Sequence, residues 1–249
     1  MRVGAAKSFE QIVAAFREGL KGTGYIDHQN VEIEFRWATT GRDPVKAGLV
    51  ASLNEPGGNL TGVNILTDEL AAKRIGLLRD VLPNVSVVAH LANPNFSPSQ
   101  NEADQAEAAA HRLGIEIVHL KASNPGDIEA AFASMREKKI GALLVAADPF
   151  FNSRRDQFAA LTAGNSIPAL FEQREFATAG CLMSYGTTLT ESYRQLGKYA
   201  GRILNGEKPA NLPIVQSTKF ELVINLKTAK ALGLTIPAGI LSISDEVIE

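Results

Sequence analysis

Two acids in this chain stand where chemistry could occur: Asp148, in Ala147-Asp148-Pro149-Phe150-Phe151, and Glu172, which closes Ala169-Leu170-Phe171. Each follows an apolar run that reads as a buried strand, as do Asn93 and Asn95 after Leu91-Ala92 and Tyr185-Gly186 after Leu182-Met183-Ser184. Ligands of open parallel α/β sheets lie beyond the carboxyl ends of the strands, so a site is expected at these four loops. Two carboxylates flanking a cleft can do acid/base work, and the same pair can hold an ammonium group with no reaction at all. Asp148-Pro149 also reads as a helix-capping turn, and both readings stand. Asn93, Asn95 and Ser97 precede a helix, where free N–H groups and the dipole favour a carboxylate, yet they are also ordinary turn residues. Phe150 and Phe151 are consecutive and cannot both face one core, so one is expected at the loop mouth with Tyr185. The set suits a zwitterion with an apolar or aromatic side chain, that is, an amino-acid-like ligand.

Other chemistry finds little support. There is no G-x-S-x-G elbow, no G-x-x-x-x-G-K-[ST] loop and no H-E-x-x-H pair, and Gly57-Gly58 with Gly62 is spaced too loosely for a dinucleotide fingerprint. His28, His90, His111 and His119 fall on different elements with no two-ligand spacing, so no metal is expected. The single cysteine, Cys181, excludes an intrachain disulfide and reads as a buried small hydrophobe. No cofactor is implied. A formal net charge of -2 without a dense Lys/Arg block argues against nucleic acid as a partner. No run approaches the ~18 apolar residues of a membrane helix, and Met1-Arg2-Val3-Gly4-Ala5-Ala6 lacks the apolar segment of a secretory signal.

The elements that must position these residues follow from periodicity. Phe9, Ile12, Val13, Phe16 and Leu20 recur at helical spacing, with Ser8 as expected N-cap and Gly22/Gly24 as the stop. Val31–Trp37 alternates as a strand, Asp43-Pro44 opens a short helix to Leu53, and Leu60–Val63 is a short strand. Thr67 caps a helix carrying Leu70, Ile75, Leu77, Leu78 and Val81. From there strands at 85–92, 115–120, 141–147 and 167–171 alternate with helices at 99–113, 125–138 and 153–163. Such alternation implies a parallel sheet with right-handed crossovers. The tail reads as a helix at 189–205, a Pro-flanked loop, a strand at 220–224 and a helix at 226–232. The fold class is α/β.

The motifs Asp43-Pro44-Val45-Lys46-Ala47-Gly48, Pro56-Gly57-Gly58-Asn59-Leu60-Thr61-Gly62, Ala147-Asp148-Pro149-Phe150-Phe151, Gly180-Cys181-Leu182-Met183-Ser184-Tyr185-Gly186 and Lys219-Phe220-Glu221-Leu222-Val223-Ile224-Asn225 carry a resemblance. The sequence resembles the substrate-binding proteins of ABC transporters, in the tryptophan/tyrosine-uptake-like family, from Asp43 to Glu249. The resemblance implies a periplasmic-binding-protein type I fold, with two Rossmann-like lobes closing on a ligand by hinge motion. It also implies an ABC permease as partner, a periplasmic location and a hinge at Tyr185-Gly186. The expected lobes are 1–64 plus about 187–218, and 65–186 plus about 219–249. In the family, the segment resembling Val31–Ala38 is followed by further βα units before the Asp-Pro-Val motif. Here only Thr39-Thr40-Gly41-Arg42 intervenes, too short for a βαβ unit of about 30 residues. The N-terminal lobe is therefore expected to be incomplete, with apolar surface on helix 9–21 left exposed or covered by a second copy, giving weak ligand binding or a homodimer.

The expected function is solute binding for an importer, non-enzymatic, through Asn93, Asn95, Asp148, Phe150, Glu172 and Tyr185, with Thr67 near the hinge. The alternatives are an acid/base enzyme using Asp148 and Glu172, a ligand-sensing module, or a remnant that folds without serving transport.

Overall fold

In the computed structural model, residues 3–34, 44–45, 48–64, 70–96, 98–217 and 219–249 are described. In chain order the elements are α1 (Val3–Lys21), β1 (Val63–Asn64), α2 (Ala71–Val81), β2 (Val87–Ala92), α3 (Pro98–Arg112), β3 (Glu116–Lys121) and α4 (Pro125–Glu137). They continue with β4 (Ala142–Val145), α5 (Pro149–Asn152), α6 (Arg155–Gly164), β5 (Ala169–Phe171), α7 (Arg174–Thr178), β6 (Met183–Thr187) and α8 (Leu189–Leu204). A 3-10 turn at Pro209–Asn211 precedes β7 (Val215–Gln216), β8 (Phe220–Asn225), α9 (Leu226–Ala231), α10 (Ala238–Ile243) and β9 (Glu246–Ile248). The chain divides into two compact units, Met1–Leu66 with Thr188–Lys219, and Thr67–Thr187 with Phe220–Glu249.

The smaller unit is built on α1 packed against α8, with β1 and β7 paired in parallel, Val63 opposite Val215. Ile12, Ala15 and Leu20 of α1 are buried, so the expected exposure of this helix's apolar face is not found: α8 covers it within the same unit. Arg194 of α8 donates to Glu18 of α1 at 3.1 Å, and the Tyr199 hydroxyl donates to the Pro213 carbonyl at 2.8 Å. Three local expectations fail here. Ser8 lies inside α1 rather than capping it, because the helix begins at Val3. Residues 31–34 form no strand, only a bridge between Val31 and Asp27, and Phe35–Trp37 lie outside the described residues. The described residues between Pro44 and Leu53 are turns and bends, because Gly48 takes φ +67, a left-handed conformation that ends a helix.

The larger unit is one seven-stranded sheet in the order β3-β2-β4-β5-β6-β8-β9. The pairs from β3 to β6 are parallel, whereas β8 runs antiparallel to β6, Tyr185 opposite Leu222, and β9 returns parallel to β8. The helix expected at 153–163 is found as α6, Arg155–Gly164, preceded by the separate one-turn helix α5. The elements α5, α7, β7, α10 and β9 have no counterpart among the expected helices and strands. Alternation puts the sheet's side chains onto two cores. Ile75, Leu78, Val88, Ala106, Leu144, Leu170 and Ile224 pack on the α2/α3 face. Leu91, Ile128, Phe132, Val145, Phe158 and Phe171 pack on the α4/α6 face, where Phe171 and Phe176 stack with centroids 4.1 Å apart. Asn124 caps α4, its side chain accepting from the Asp127 N–H.

Candidate functional site

Register along the larger unit's sheet brings the strand-end residues to one edge. Leu91 pairs with Val145, Leu144 with Leu170, and Phe171 with Ser184, all in parallel. Asn93, Asp148 and Glu172 therefore follow one another across the carboxyl edge of β2, β4 and β5, which is where ligands of such sheets bind. Tyr185, expected in a loop, instead lies inside β6 opposite Leu222, because the antiparallel pairing with β8 carries the strand on to Thr187.

Asn93 and Asp148 are joined: the Asn93 amide donates to one Asp148 carboxylate oxygen at 3.0 Å. The other oxygen accepts from the N–H groups of Phe150 at 2.6 Å and Phe151 at 3.2 Å, capping α5. Burial pushes the Asp148 carboxyl above its usual range, and these three hydrogen bonds oppose the shift. Asn93 also accepts from the Asn95 N–H at 3.0 Å, which turns the loop after β2 and leaves Asn95 exposed. Phe151 is fully buried, while Phe150 is half-buried with the Arg154 guanidinium 5.6 Å above its ring. The expected joint aromatic surface is not formed: Phe150 packs on the α4/α6 core, whereas Tyr185 packs on the α2/α3 core with its ring 6.2 Å from Phe220. Thr67 and Ser97 lie outside the described residues.

Glu172 is only 7% exposed, and no hydrogen bond to its carboxyl is found among the described residues. Burial raises its pKa to about 7, with Arg74 pulling it down and Glu102 and Glu175 pushing it up. Its backbone is held hard against β6, since a Cβ at Gly186 would lie 2.2 Å from the Glu172 carbonyl oxygen. Glycine is required there by close approach.

Sequence reasoning missed the charged pair beneath these loops. Arg74 of α2 and Glu102 of α3 are buried at 0% and 2% exposure and joined at 2.7 Å. Arg74 Nε donates to the Tyr185 carbonyl at 2.8 Å, and the second Glu102 oxygen accepts from the Ala147 N–H at 3.0 Å. A signal was present: Arg74 sits one helical turn from both Ala71 and Leu78, on the apolar stripe of α2, and Glu102 is four residues before Ala106. His90 is also fully buried, its ring edge-on to His119 at 5.6 Å, with neither nitrogen hydrogen-bonded among the described residues. Burial, then His119 and Arg74, lower its pKa to about 4. Among the described residues no cluster of three His, Cys, Asp or Glu side chains is placed to hold a metal.

Glu172 and His90 make opposite contributions to stability against pH. The folded Glu172 keeps its proton up to about 7, against 4.5 ordinarily, so stability is lost as pH rises from 4.5 to 7. The folded His90 refuses a proton down to about 4, against 6.5 ordinarily, so stability is lost as pH falls from 6.5 to 4. Each contribution is on the order of 3 kcal/mol, and the two nearly cancel between pH 4.5 and 6.5. Urea unfolding of Glu172→Gln is expected to show higher stability than the wild type at pH 8 and a decline on acidification below 6.5. His90→Leu is expected to gain stability as pH falls from 7 to 4.5. Curves parallel to the wild type at every pH would refute both assignments.

Residues 37–248 match the model of a family described as ABC transporter substrate binding protein. A tyrosine-binding protein of Clostridioides difficile (strain R20291) is 27% identical over 193 residues, covering 77% of this chain and 55% of that protein. The chain thus spans about half the length of this curated relative. Among solved structures, a conserved domain protein from Vibrio cholerae superposes with a TM-score of 0.84 at 21% identity, covering 97% of this chain and 95% of that one. An ABC domain in complex with L-Trp from Streptococcus pneumoniae superposes at 0.81 and 22% identity, covering 97% and 96%. A ligand-free, open substrate binding protein with adhesive properties from Clostridium difficile does so at 0.67 and 20% identity, covering 98% and 95%. These likenesses are to proteins of the periplasmic-binding-protein type I fold, the α/β class expected from the resemblance.

Proposed function

This chain belongs to the ABC transporter substrate binding protein family, and from that premise we propose that it is the solute-binding component of an importer whose ligand is an amino acid with an aromatic side chain. The observation that carries the ligand class is Glu172, a buried carboxyl with no hydrogen bond among the described residues, at the sheet edge beside Tyr185. An ammonium group would pair with this carboxyl, and the half-buried Tyr185, on the next strand, would offer its ring to an aromatic side chain. Relatives named for tyrosine and solved with L-Trp support the same ligand class. Asn93 and Asn95 would complete the recognition edge, and Asp148 would hold the Asn93 and Phe150 loops in place.

The reading extends to the rest of the assembly. The two units correspond to two lobes, Tyr185-Gly186 to the hinge, and the partner is an ABC permease in an extracytoplasmic setting. A second copy of the chain is not needed to cover α1. An acid/base enzyme is disfavoured, because both oxygens of Asp148 already accept hydrogen bonds from the chain.

Titration calorimetry with L-tyrosine, L-tryptophan, L-leucine and a neutral hexose tests this reading. Binding of an aromatic amino acid is expected, and Glu172→Gln is expected to weaken it by about tenfold or more, the loss of one charge-assisted hydrogen bond. Heat from the hexose and none from any amino acid would overturn the proposal.

A further inference from the structure

We propose that the buried Arg74–Glu102 pair is a positioning device, which sets the placement of the Ala147-Asp148 turn relative to β6 at Tyr185 and thereby the geometry of the candidate ligand edge. The inference rests on the solute-binding reading of Asp148 and Tyr185, and it assigns a role to two buried residues outside the candidate ligand-binding set.

The backbone shows why such a device is needed. Ala146 N–H still bonds across the sheet to the Leu91 carbonyl at 2.9 Å. One residue later the ladder has ended, and the Ala147 N–H is taken by Glu102 at 3.0 Å. On β6, the last residue paired with β5 is Ser184, and the next carbonyl, that of Tyr185, is taken by Arg74 at 2.8 Å. Both side chains thus act where strand pairing runs out, on the two segments that carry Asp148 and Tyr185. The 2.7 Å link between them closes a continuous chain from the Ala147 N–H to the Tyr185 carbonyl.

Stability alone does not explain the pair. Removing two charges from water is costly, and apolar residues of similar volume serve a core as well or better. The third donor group, Arg74 Nη2, is buried without a hydrogen-bond partner among the described residues, which a side chain selected only for stability would avoid. What methionine and leucine cannot supply is two directional hydrogen bonds to two fixed backbone atoms. Those bonds end on the two segments of the candidate site.

The test is the double variant Arg74→Met/Glu102→Leu in the full chain, followed by melting temperature, amide exchange and calorimetry with L-tyrosine and L-tryptophan. We expect melting to fall less than in Arg74→Met alone, exchange of the Ala147 amide at least about tenfold faster, and amino-acid affinity at least about tenfold weaker. Unchanged exchange at Ala147 together with unchanged affinity would overturn the proposal. If the double variant does not fold, Arg74→Lys decides: lysine can face Glu102 but cannot fork to Tyr185, so affinity should fall while the charge pair is kept, and unchanged affinity again refutes the idea. Should the wild type bind neither amino acid, the solute-binding reading fails, whereas exchange at Ala147 still decides whether the pair holds that turn.

Discussion

Replacing Arg74 alone by methionine is expected to lower the unfolding free energy by about 3–5 kcal/mol, the range found when one partner of a buried ion pair is removed. The guanidinium is completely buried, and Glu102 beneath it is 2% exposed. Methionine fills much of the volume but leaves the Glu102 carboxylate without its cation and the Tyr185 carbonyl without its donor. A buried acceptor that loses its donor keeps the full desolvation cost, about 1–3 kcal/mol for a neutral group and more for a charged one. Glu172 is affected too, since Arg74 is what offsets the rise in its pKa. Without Arg74 the Glu172 carboxyl should hold its proton to still higher pH, so the deficit should be larger at pH 8 than at pH 5. Urea titrations at the two pH values measure both effects. A loss below 1 kcal/mol at either pH would show that water reaches the pair and would refute this account. Adding Glu102→Leu should recover part of the loss, because no buried charge is then left over while the Ala147 N–H and Tyr185 carbonyl stay unpaired.

Gly197→Val is expected to destabilise the smaller unit by about 3 kcal/mol, at the upper end of ordinary overpacking. A Cβ at Gly197 would stand 2.0 Å from the Phe16 carbonyl oxygen and 2.8 Å from the Leu20 nitrogen. The approach is mutual, since a Cβ at Gly19 would stand 1.9 Å from the Arg194 carbonyl oxygen. These obstacles are helix backbone, which cannot swing aside as a side-chain tip can. The only relief is to move α1 away from α8, which uncovers Ile12, Ala15 and Leu20. Hydrogen exchange locates the effect: amides of α1 and α8 should lose protection while those of β2, β4 and β5 keep theirs, because the sheet belongs to the other compact unit. Equal protection of α1 in variant and wild type would refute the close-packing account.

The central alternation was legible because each of its elements carries its own local period. Strand 85–92 is found as β2 at Val87–Ala92, helix 125–138 as α4 at Pro125–Glu137, and helix 189–205 as α8 at Leu189–Leu204. The strand-end loops were legible for the same reason, since an apolar run that stops at Asn93 or Asp148 marks the end of a strand wherever that strand is placed. Legibility declined where an element depends on something distant. The two-residue strand β7 is defined by its pairing with β1, about 150 positions earlier in the chain, and has no periodicity of its own. Gly48 and the start of α1 at Val3 turned on backbone conformations that the apolar spacing did not reveal.

The candidate site divides along the same line. Asn93, Asp148 and Glu172 could be named from their positions after apolar runs, because strand ends in parallel sheets face one edge whatever the details of packing, while Tyr185 lies within β6 because the strand continues along its antiparallel partner. That Asn93 bonds to Asp148, that Phe150 and Tyr185 pack on opposite cores, and that Gly186 lies against the Glu172 backbone all depend on register between strands far apart in sequence. Arg74 and Glu102 show the limit most clearly. Their spacing places them on apolar helix faces, where a charge alone would be prohibitive, and composition offers no means of pairing them across 28 residues. Packing α2 beside α3 on one sheet face sets the two charges together and turns each side chain toward a backbone atom left over at a strand's end. The chemical types at the edge belong to the local pattern of the chain, while their mutual geometry belongs to contacts that exist only once the sheet has formed.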